Sequence, residues 1–297
     1  MAEEMHGEMK ANIGFLQWDD LYNIEKPFQI TTDIPVDAED KRSSNLSFET
    51  KRKLIRDIRH LEAPPILDDC GFTLRHRPSR LIDFSSKEKI TSTYLPEVEE
   101  VIRSELDNVE KVFIFDWRLR SSEPLKADTV VDFNNPMHRL LPSENVHVDQ
   151  SATAVIKRIR LHFPDEAEAL LRGRIRVINV WRPIGQAVTD WPMAFCDAKT
   201  VSDSDLVETD HIRRRYVGAT IYLLDRPQHS WYYVSNQTPE EIIIFKNFDT
   251  SEHVRARYSP HAAFKIPDRI GGMRRSIEVR ALVFGPSSEN QGLDSGK

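Results

Sequence analysis

Short runs rich in Val, Ile, Phe and Tyr recur along the chain. They predict strands at KVFIFDW (111–117), RIRVINVW (174–181), 219–224, 230–234, EIIIF (241–245) and SIEVRALVF (276–284). Turn-like stretches such as LDRPQ and SNQTPE separate several of them. Helical spacing is clear in two places. Over 96–106, Val98, Val101, Ile102 and Leu106 share a face. Over 151–171, Val155, Ile156, Ile159, Phe163, Ala167 and Leu170 share another, with Lys157, Arg158, Arg160 and Glu166 opposite. Pro164 interrupts that run, so two short helices fit as well as one. Residues 1–70 are punctuated by proline and read as an N-terminal extension that wraps the core or lids a site. Within it, 12–18 predicts a strand and 48–61 a charged helix or turn. Residues 285–297 lack apolar periodicity and read as a disordered tail. Between them, 71–284 reads as one mainly β domain with flanking helices, a double-stranded β-helix (jelly roll). No glycine-rich strand-to-helix turn supports a Rossmann or P-loop alternative.

Composition narrows the partners. The 41 Lys and Arg are outnumbered by 47 Asp and Glu, for a net charge of −6. Nucleic-acid binders concentrate positive charge, so a polyanion is not the expected partner. The polar, acidic start MAEEMHGEMK has no signal-peptide character, and no window approaches the roughly 18–20 apolar residues of a membrane helix. Cys70 and Cys196 cannot build a disulfide framework, and a reducing cytoplasmic setting is expected.

The sharpest chemistry is His147-Val148-Asp149. In a strand, residues i and i+2 point to one face, so an imidazole and a carboxylate stand side by side. An H-x-D triplet alone is a weak signal, since most such pairs sit on surfaces. One more histidine completes the 2-His-1-carboxylate face of non-haem Fe(II) oxygenases, which leaves the opposite positions open. His261, in SPHAAF after the EIIIF strand, is the preferred third ligand over His211, His229 and His253. The RRSIEVRALVF strand follows it. 2-Oxoglutarate needs a guanidinium for its distal carboxylate. Arg274 and Ser276 share a face for that purpose, Arg280 lies further along the same face, and Arg275 is the adjacent candidate. The competing reading has these arginines solvating a strand or pairing with Glu278.

The chain resembles the fungal AsaB-like or CmcJ-like hydroxylase/desaturase family, which is related to cephem-methoxylase and gibberellin desaturase proteins. The resemblance rests on GFTLRHRPS (71–79), KVFIFDWRLR (111–120), VHVDQS (146–151), RVINVWRPI (176–184), DWPMAFCDAKTV (190–201), WYYVSNQTPEEIIIFKNFD (231–249), SPHAAF (259–264) and RRSIEVRALVF (274–284). It implies an Fe(II)/2-oxoglutarate-dependent dioxygenase of secondary metabolism, using molecular oxygen for hydroxylation, desaturation or ring formation. Within these blocks Asn179 is expected to bond an oxoglutarate carboxylate and Arg182 to anchor an acidic substrate, unless Arg182 pairs with Asp190 or Asp197. Trp181, Trp231 and Tyr233 are candidates to line the substrate pocket, or else to fill the core. The 112 residues between Asp149 and His261 exceed the separation in many compact 2-oxoglutarate enzymes. The alternatives are an iron oxygenase that does without 2-oxoglutarate, and a non-catalytic jelly-roll binding protein.

Overall fold

The computed structural model describes residues 7–126, 129, 131–213, 216–267 and 271–287. Its strands, in chain order, are β1 (Glu8–Leu16), β2 (Phe28–Ile30), β3 (Phe48–Asp57), β4 (Phe72–His76) and β5 (Lys111–Ser121). Next come β6 (His147–Val148), β7 (Gly173–Pro183), β8 (Met193–Cys196), β9 (Leu206–Arg213) and β10 (Tyr216–Leu223). The last four are β11 (Trp231–Tyr233), β12 (Glu241–Asp249), β13 (His261–Ala263) and β14 (Arg275–Ser287). They form a nine-stranded sheet ordered β1-β3-β11-β8-β13-β6-β10-β9-β2 and a five-stranded sheet ordered β4-β12-β7-β14-β5. Facing each other, the two sheets make the double-stranded β-helix.

The five-stranded sheet is antiparallel throughout and apolar on both faces. Ile178, Val180, Ile242, Ile244, Ile277 and Val279 turn outward against Ile90, Tyr94, Val98 and Ile102, which belong to the segment ending in helix Leu95–Glu105. Covering each such side chain contributes about 1.5–3 kcal/mol relative to exposure. The inner face carries two apolar blocks. One joins Val177, Phe248, Leu282 and Phe284 to Val155 and Ile159 of helix Ala152–His162; the other holds Phe72, Trp181, Phe195 and Phe245. On β7, Val177, Asn179 and Trp181 share this face, so a polar position falls between the blocks.

The run interrupted by Pro164 forms two helices, Ala152–His162 and Ala167–Leu170, and Ser151 caps the first by accepting from the Ala154 amide. The stretch 48–61, expected as a helix or turn, is mostly strand β3. It pairs antiparallel with β1 from Leu16↔Phe48 to Glu8↔Arg56, and parallel with β11. The period of two is hidden because Lys53, on the inward side, carries its ammonium over the Phe15 ring at 5.6 Å to pair with Asp225 at 2.6 Å. Bridges Gly14↔Asn145 and Leu16↔Leu224 bring β1 back to the β6 and β10 side of its own sheet. The resulting ring encloses a second apolar core of Ile13, Phe15, Ile55, Cys196, Trp231 and Phe264. Gly14 permits this closure, since a Cβ there would lie 2.3 Å from Asn145 Oδ1. Gly285 to Ser287 continue β14; the remainder of the expected tail, 288–297, lies outside the described residues. Among the described residues no helix is long and apolar enough to cross a membrane.

Candidate metal centre

β6 and β13 are antiparallel neighbours in which His147 and His261 are register partners, so both imidazoles leave the sheet on the same face. Their ring centroids are 4.5 Å apart. Asp149 follows β6 by one residue, with Oδ1 3.4 Å from His147 Nε2. One ligand atom from each of His147, Asp149 and His261 lies within 4.8 Å of the others. The triad read from the sequence is thus gathered in space.

The surroundings set each member in a metal-binding form. His147 Nδ1 is 2.8 Å from the Asn145 carbonyl and His261 Nδ1 is 2.9 Å from that of Ser259. A carbonyl only accepts, so each Nδ1 carries the hydrogen and each Nε2 keeps its lone pair. Burial pushes His261 down to about 3, which keeps it neutral at physiological pH. The residue that orients His147 is itself fixed by the N-terminal strand, since the amide of Gly14 donates to Glu144 O and its carbonyl accepts from Val146 N.

Burial alone would raise the Asp149 carboxyl. The Arg280 charge beside it, helped by the two histidines, outweighs that and holds it well below the usual carboxylate range. Arg280 donates from Nε to Oδ2 (3.0 Å) and from Nη2 to Oδ1 (3.3 Å) of Asp149. It also meets Asp116 at 2.9 Å and Glu278 at 2.6 Å. Asn179 Nδ2 donates to Asp149 Oδ2 at 2.6 Å and to Glu278 at 3.1 Å. Arg280 and Asn179, both expected on the cosubstrate, are therefore engaged with the metal carboxylate.

Arg274 is different. It is 1% exposed, packs over the Trp181 ring at 5.0 Å, and donates to Trp191 O (2.9 Å) and Ser276 Oγ (3.2 Å). All of these are neutral, and its Nη2 is buried without a partner. Burial lowers its affinity for a proton, to a pKa of about 9. A buried guanidinium with a bare donor and no direct carboxylate partner fits the distal carboxylate of 2-oxoglutarate. The two imidazoles and one carboxylate fit Fe(II), with no thiolate to favour a softer metal.

Arg275, Arg182, Trp231 and Tyr233 are not brought to the triad. Arg275 is exposed, one residue out of phase with Arg274 and Ser276. Arg182 leaves β7 on the face opposite Asn179 and Trp181, where it donates to Tyr94 Oη (3.2 Å), Arg77 O (2.6 Å) and Pro239 O, rather than pairing with Asp190 or Asp197. It ties helix to sheet and does not reach the triad. Arg182→Leu is accordingly expected to lower unfolding free energy by roughly 2–4 kcal/mol and to leave 2-oxoglutarate affinity unchanged, by denaturant titration and calorimetry respectively. Trp231 and Tyr233 fill the second core inside the ring of strands, away from the metal face. His211 is half-buried beside Tyr222 (Nε2 to Oη 3.3 Å).

Asn247, at the β12 bulge, carried no sequence signal. Its Oδ1 accepts from the Asp149 amide at 2.8 Å and fixes the backbone that presents the carboxylate. Asn247→Leu should weaken iron binding by about 10–100-fold while both histidines remain in place. Competition against a coloured chelator measures it, and wild-type affinity would remove this role.

A family model described as Oxidoreductase/YMDC permease-like domain matches residues 14–284. The hydroxylase/desaturase CTB9 of Cercospora beticola is 32% identical over 258 residues, covering 82% of this chain and 79% of its own. The hydroxylase/desaturase efuI of Hormonema carpetanum is 30% identical over 269 residues, covering 84% and 88%. The Fe(II)/2-oxoglutarate-dependent dioxygenase nvfI of Aspergillus novofumigatus is 36% identical over 148 residues, 48% of this chain and 53% of its own. A solved structure of the iron and alpha-ketoglutarate-dependent endoperoxidase NvfI shares the fold, with a TM-score of 0.80 and 24% identity over 95% of this chain and 99% of that one. On these matches and the gathered triad, the chain belongs to the fungal hydroxylase/desaturase family of Fe(II)/2-oxoglutarate-dependent dioxygenases.

Proposed function

We propose that the protein oxidises a small secondary metabolite, or an amino-acid precursor of one, with Fe(II) held by His147, Asp149 and His261. Arg274 and Ser276 take the distal carboxylate of 2-oxoglutarate. The observation that carries the cosubstrate assignment is the buried, unpartnered Nη2 of Arg274 beside Trp181. When bound, the metal and keto acid supply the chemistry in which O2 oxidises both 2-oxoglutarate, to succinate and CO2, and a bond of the substrate. The chain's own residues do the rest. Asn145 and Ser259 hold the imidazole tautomers, Arg280 and Asn179 hold the carboxylate ionised and aimed, and Trp181 walls the guanidinium from water. The N-terminal extension contributes by fixing Asn145 through Gly14. The free thiols of Cys70 and Cys196 suit a reducing cytoplasm.

The test is anaerobic addition of Fe(II) and then 2-oxoglutarate, watched for the visible charge-transfer band of the chelate. A band in the wild type that is lost in His147→Ala supports the proposal. Iron-loaded, folded protein without the band would remove the cosubstrate.

A further inference from the structure

On β5, Asp116, Arg118 and Arg120 alternate onto the face that looks at the triad. Arg118 is the register partner of Glu278 and Asp116 that of Arg280. Their charges are not equally spoken for. Arg280 grips Asp149, Asp116 and Glu278. Among the described residues Arg118 shares only the second of these, Nε to Asp116 Oδ1 at 3.3 Å, and its Nη1 is buried with no partner, the side chain being 12% exposed. Arg120 donates to a neutral acceptor, Leu141 O at 2.7 Å, and lies within electrostatic reach of Asp149, Glu278 and Arg274. From the facing sheet, Arg213 of β9 comes within electrostatic reach of Arg118, Asp116 and Arg280. Asp190, which also lies near Arg274, accepts instead from Ser122 Oγ and the main-chain amides of Trp191 and Arg274.

These five arginines (Arg118, Arg120, Arg213, Arg274 and Arg280) stand against four carboxylates (Asp116, Asp149, Asp190 and Glu278), and iron with cosubstrate does not relieve that excess. Fe(II) and the 2-oxoglutarate dianion carry opposite double charges, so their joint binding leaves the sum unchanged. Arg274, on the far side of Ser276, is assigned to the cosubstrate. A half-buried guanidinium left with an unmade hydrogen bond costs free energy unless an anion arrives to accept it.

We infer that the substrate is a carboxylic acid, and that Arg118, assisted by Arg120, is the specificity-determining residue that receives its carboxylate on the β5 side of the triad. The inference rests on the reading of the triad and Arg274 as an Fe(II)/2-oxoglutarate site. A carboxylate held there is anchored from β5 while the rest of the molecule lies toward the metal.

The experiment uses the full chain with Fe(II) and saturating 2-oxoglutarate under anaerobic conditions, so that Arg274 is occupied. Benzoate, 1-naphthoate and dodecanoate are titrated calorimetrically alongside their primary amides. At least one acid is expected to bind about tenfold or more tightly than its amide, and the preference should vanish in Arg118→Leu. Arg118→Gln, which keeps a polar side chain without the charge, serves if the leucine variant unfolds. In both, the charge-transfer band and 2-oxoglutarate affinity should match the wild type. Equal binding of acids and amides, or no binding of any acid, overturns the inference, as does a preference that survives both substitutions. A large loss of 2-oxoglutarate affinity in the Arg118 variants also overturns it, by assigning that residue to the cosubstrate. Failure of the underlying cosubstrate reading looks different: the wild type then lacks the band. The acid-against-amide comparison is still made with iron alone, where Arg118→Gln isolates the contribution of that side chain.

Discussion

Asp149→Ala is expected to abolish stoichiometric iron binding and, with it, all oxidation. Asp149 supplies the one negative charge among the three proposed ligand atoms, and its loss acts twice. The metal loses an oxygen donor, and Arg280, held at 3.0 Å from that carboxylate, loses one of its three carboxylate partners, so more of its positive charge is felt at the site. A divalent metal then faces repulsion where it had attraction, so the loss should well exceed the ~10–100-fold typical of disturbing an outer partner. The fold itself should survive, because Arg280 keeps Asp116 and Glu278. Removing one member of a buried ion pair commonly costs about 3–5 kcal/mol, and the two remaining carboxylates should hold the cost below that. Asp149→Asn separates the parts, since it keeps shape and an oxygen but not the charge. Iron per chain, measured after desalting, is the readout. Wild-type stoichiometry in Asp149→Ala, with a normal melting curve, would mean that the metal is held elsewhere.

How far this centre was legible in the sequence depended on the range over which each signal acts. His147 and Asp149 were readable because strand alternation is local: two positions apart means one face. His261 was readable from its place between two strongly apolar strands, although its pairing with His147 is a property of the sheet. The same alternation excluded Arg275 and Arg182 from the pocket, and a strict phase count on RRSIEV and VINVWR would have found both. What alternation does not tell is which face of a sheet looks at the metal. Trp231 and Tyr233 belong to a core that exists only because β1 closes back on β6 and β10, a contact between residues 14 and 145. Strand β3 was missed for a related reason, since lysine stems on its inward side imitate a solvated helix. Asn247 was invisible, because a bulge that points one amide at a distant backbone leaves no periodic trace. Arg280 and Asn179 were placed beside the triad, and packing adds that both donate to Asp149. Sequence located the positive charge and the amide, and only packing shows that Asp149 takes them.

Arg274→Leu carries the largest expected effect on cosubstrate affinity. In the wild type its guanidinium is buried, stacked on Trp181 and hydrogen-bonded to neutral oxygens, with Nη2 unsatisfied. Such a group costs stability in the empty protein and recovers it when a carboxylate binds. Truncating one side of a buried, hydrogen-bonded charge pair costs about 2–5 kcal/mol, so 2-oxoglutarate affinity should fall by roughly 30- to several-thousand-fold. Iron affinity should not change, because the hydrogen bonds of Arg274 go to Asp190, Ser276, Trp191 and Met193 and not to His147, Asp149 or His261. The stability of the cosubstrate-free protein should be unchanged or higher, since leucine fills much of the same volume beside Trp181 and Met193 without a desolvated charge. This combination separates a binding role from a structural one. A purely structural arginine would lose melting temperature and leave the affinity of the folded fraction intact. Arg274→Lys should recover only part of the binding, because an ammonium lacks the planar fork that meets both carboxylate oxygens. Titration of 2-oxoglutarate against the charge-transfer band, paired with thermal melts without cosubstrate, reads both quantities. A destabilised Arg274→Leu protein that still binds 2-oxoglutarate normally would move the distal-carboxylate role to another cation, with Arg120 next in line because it lies within reach of both Arg274 and Asp149.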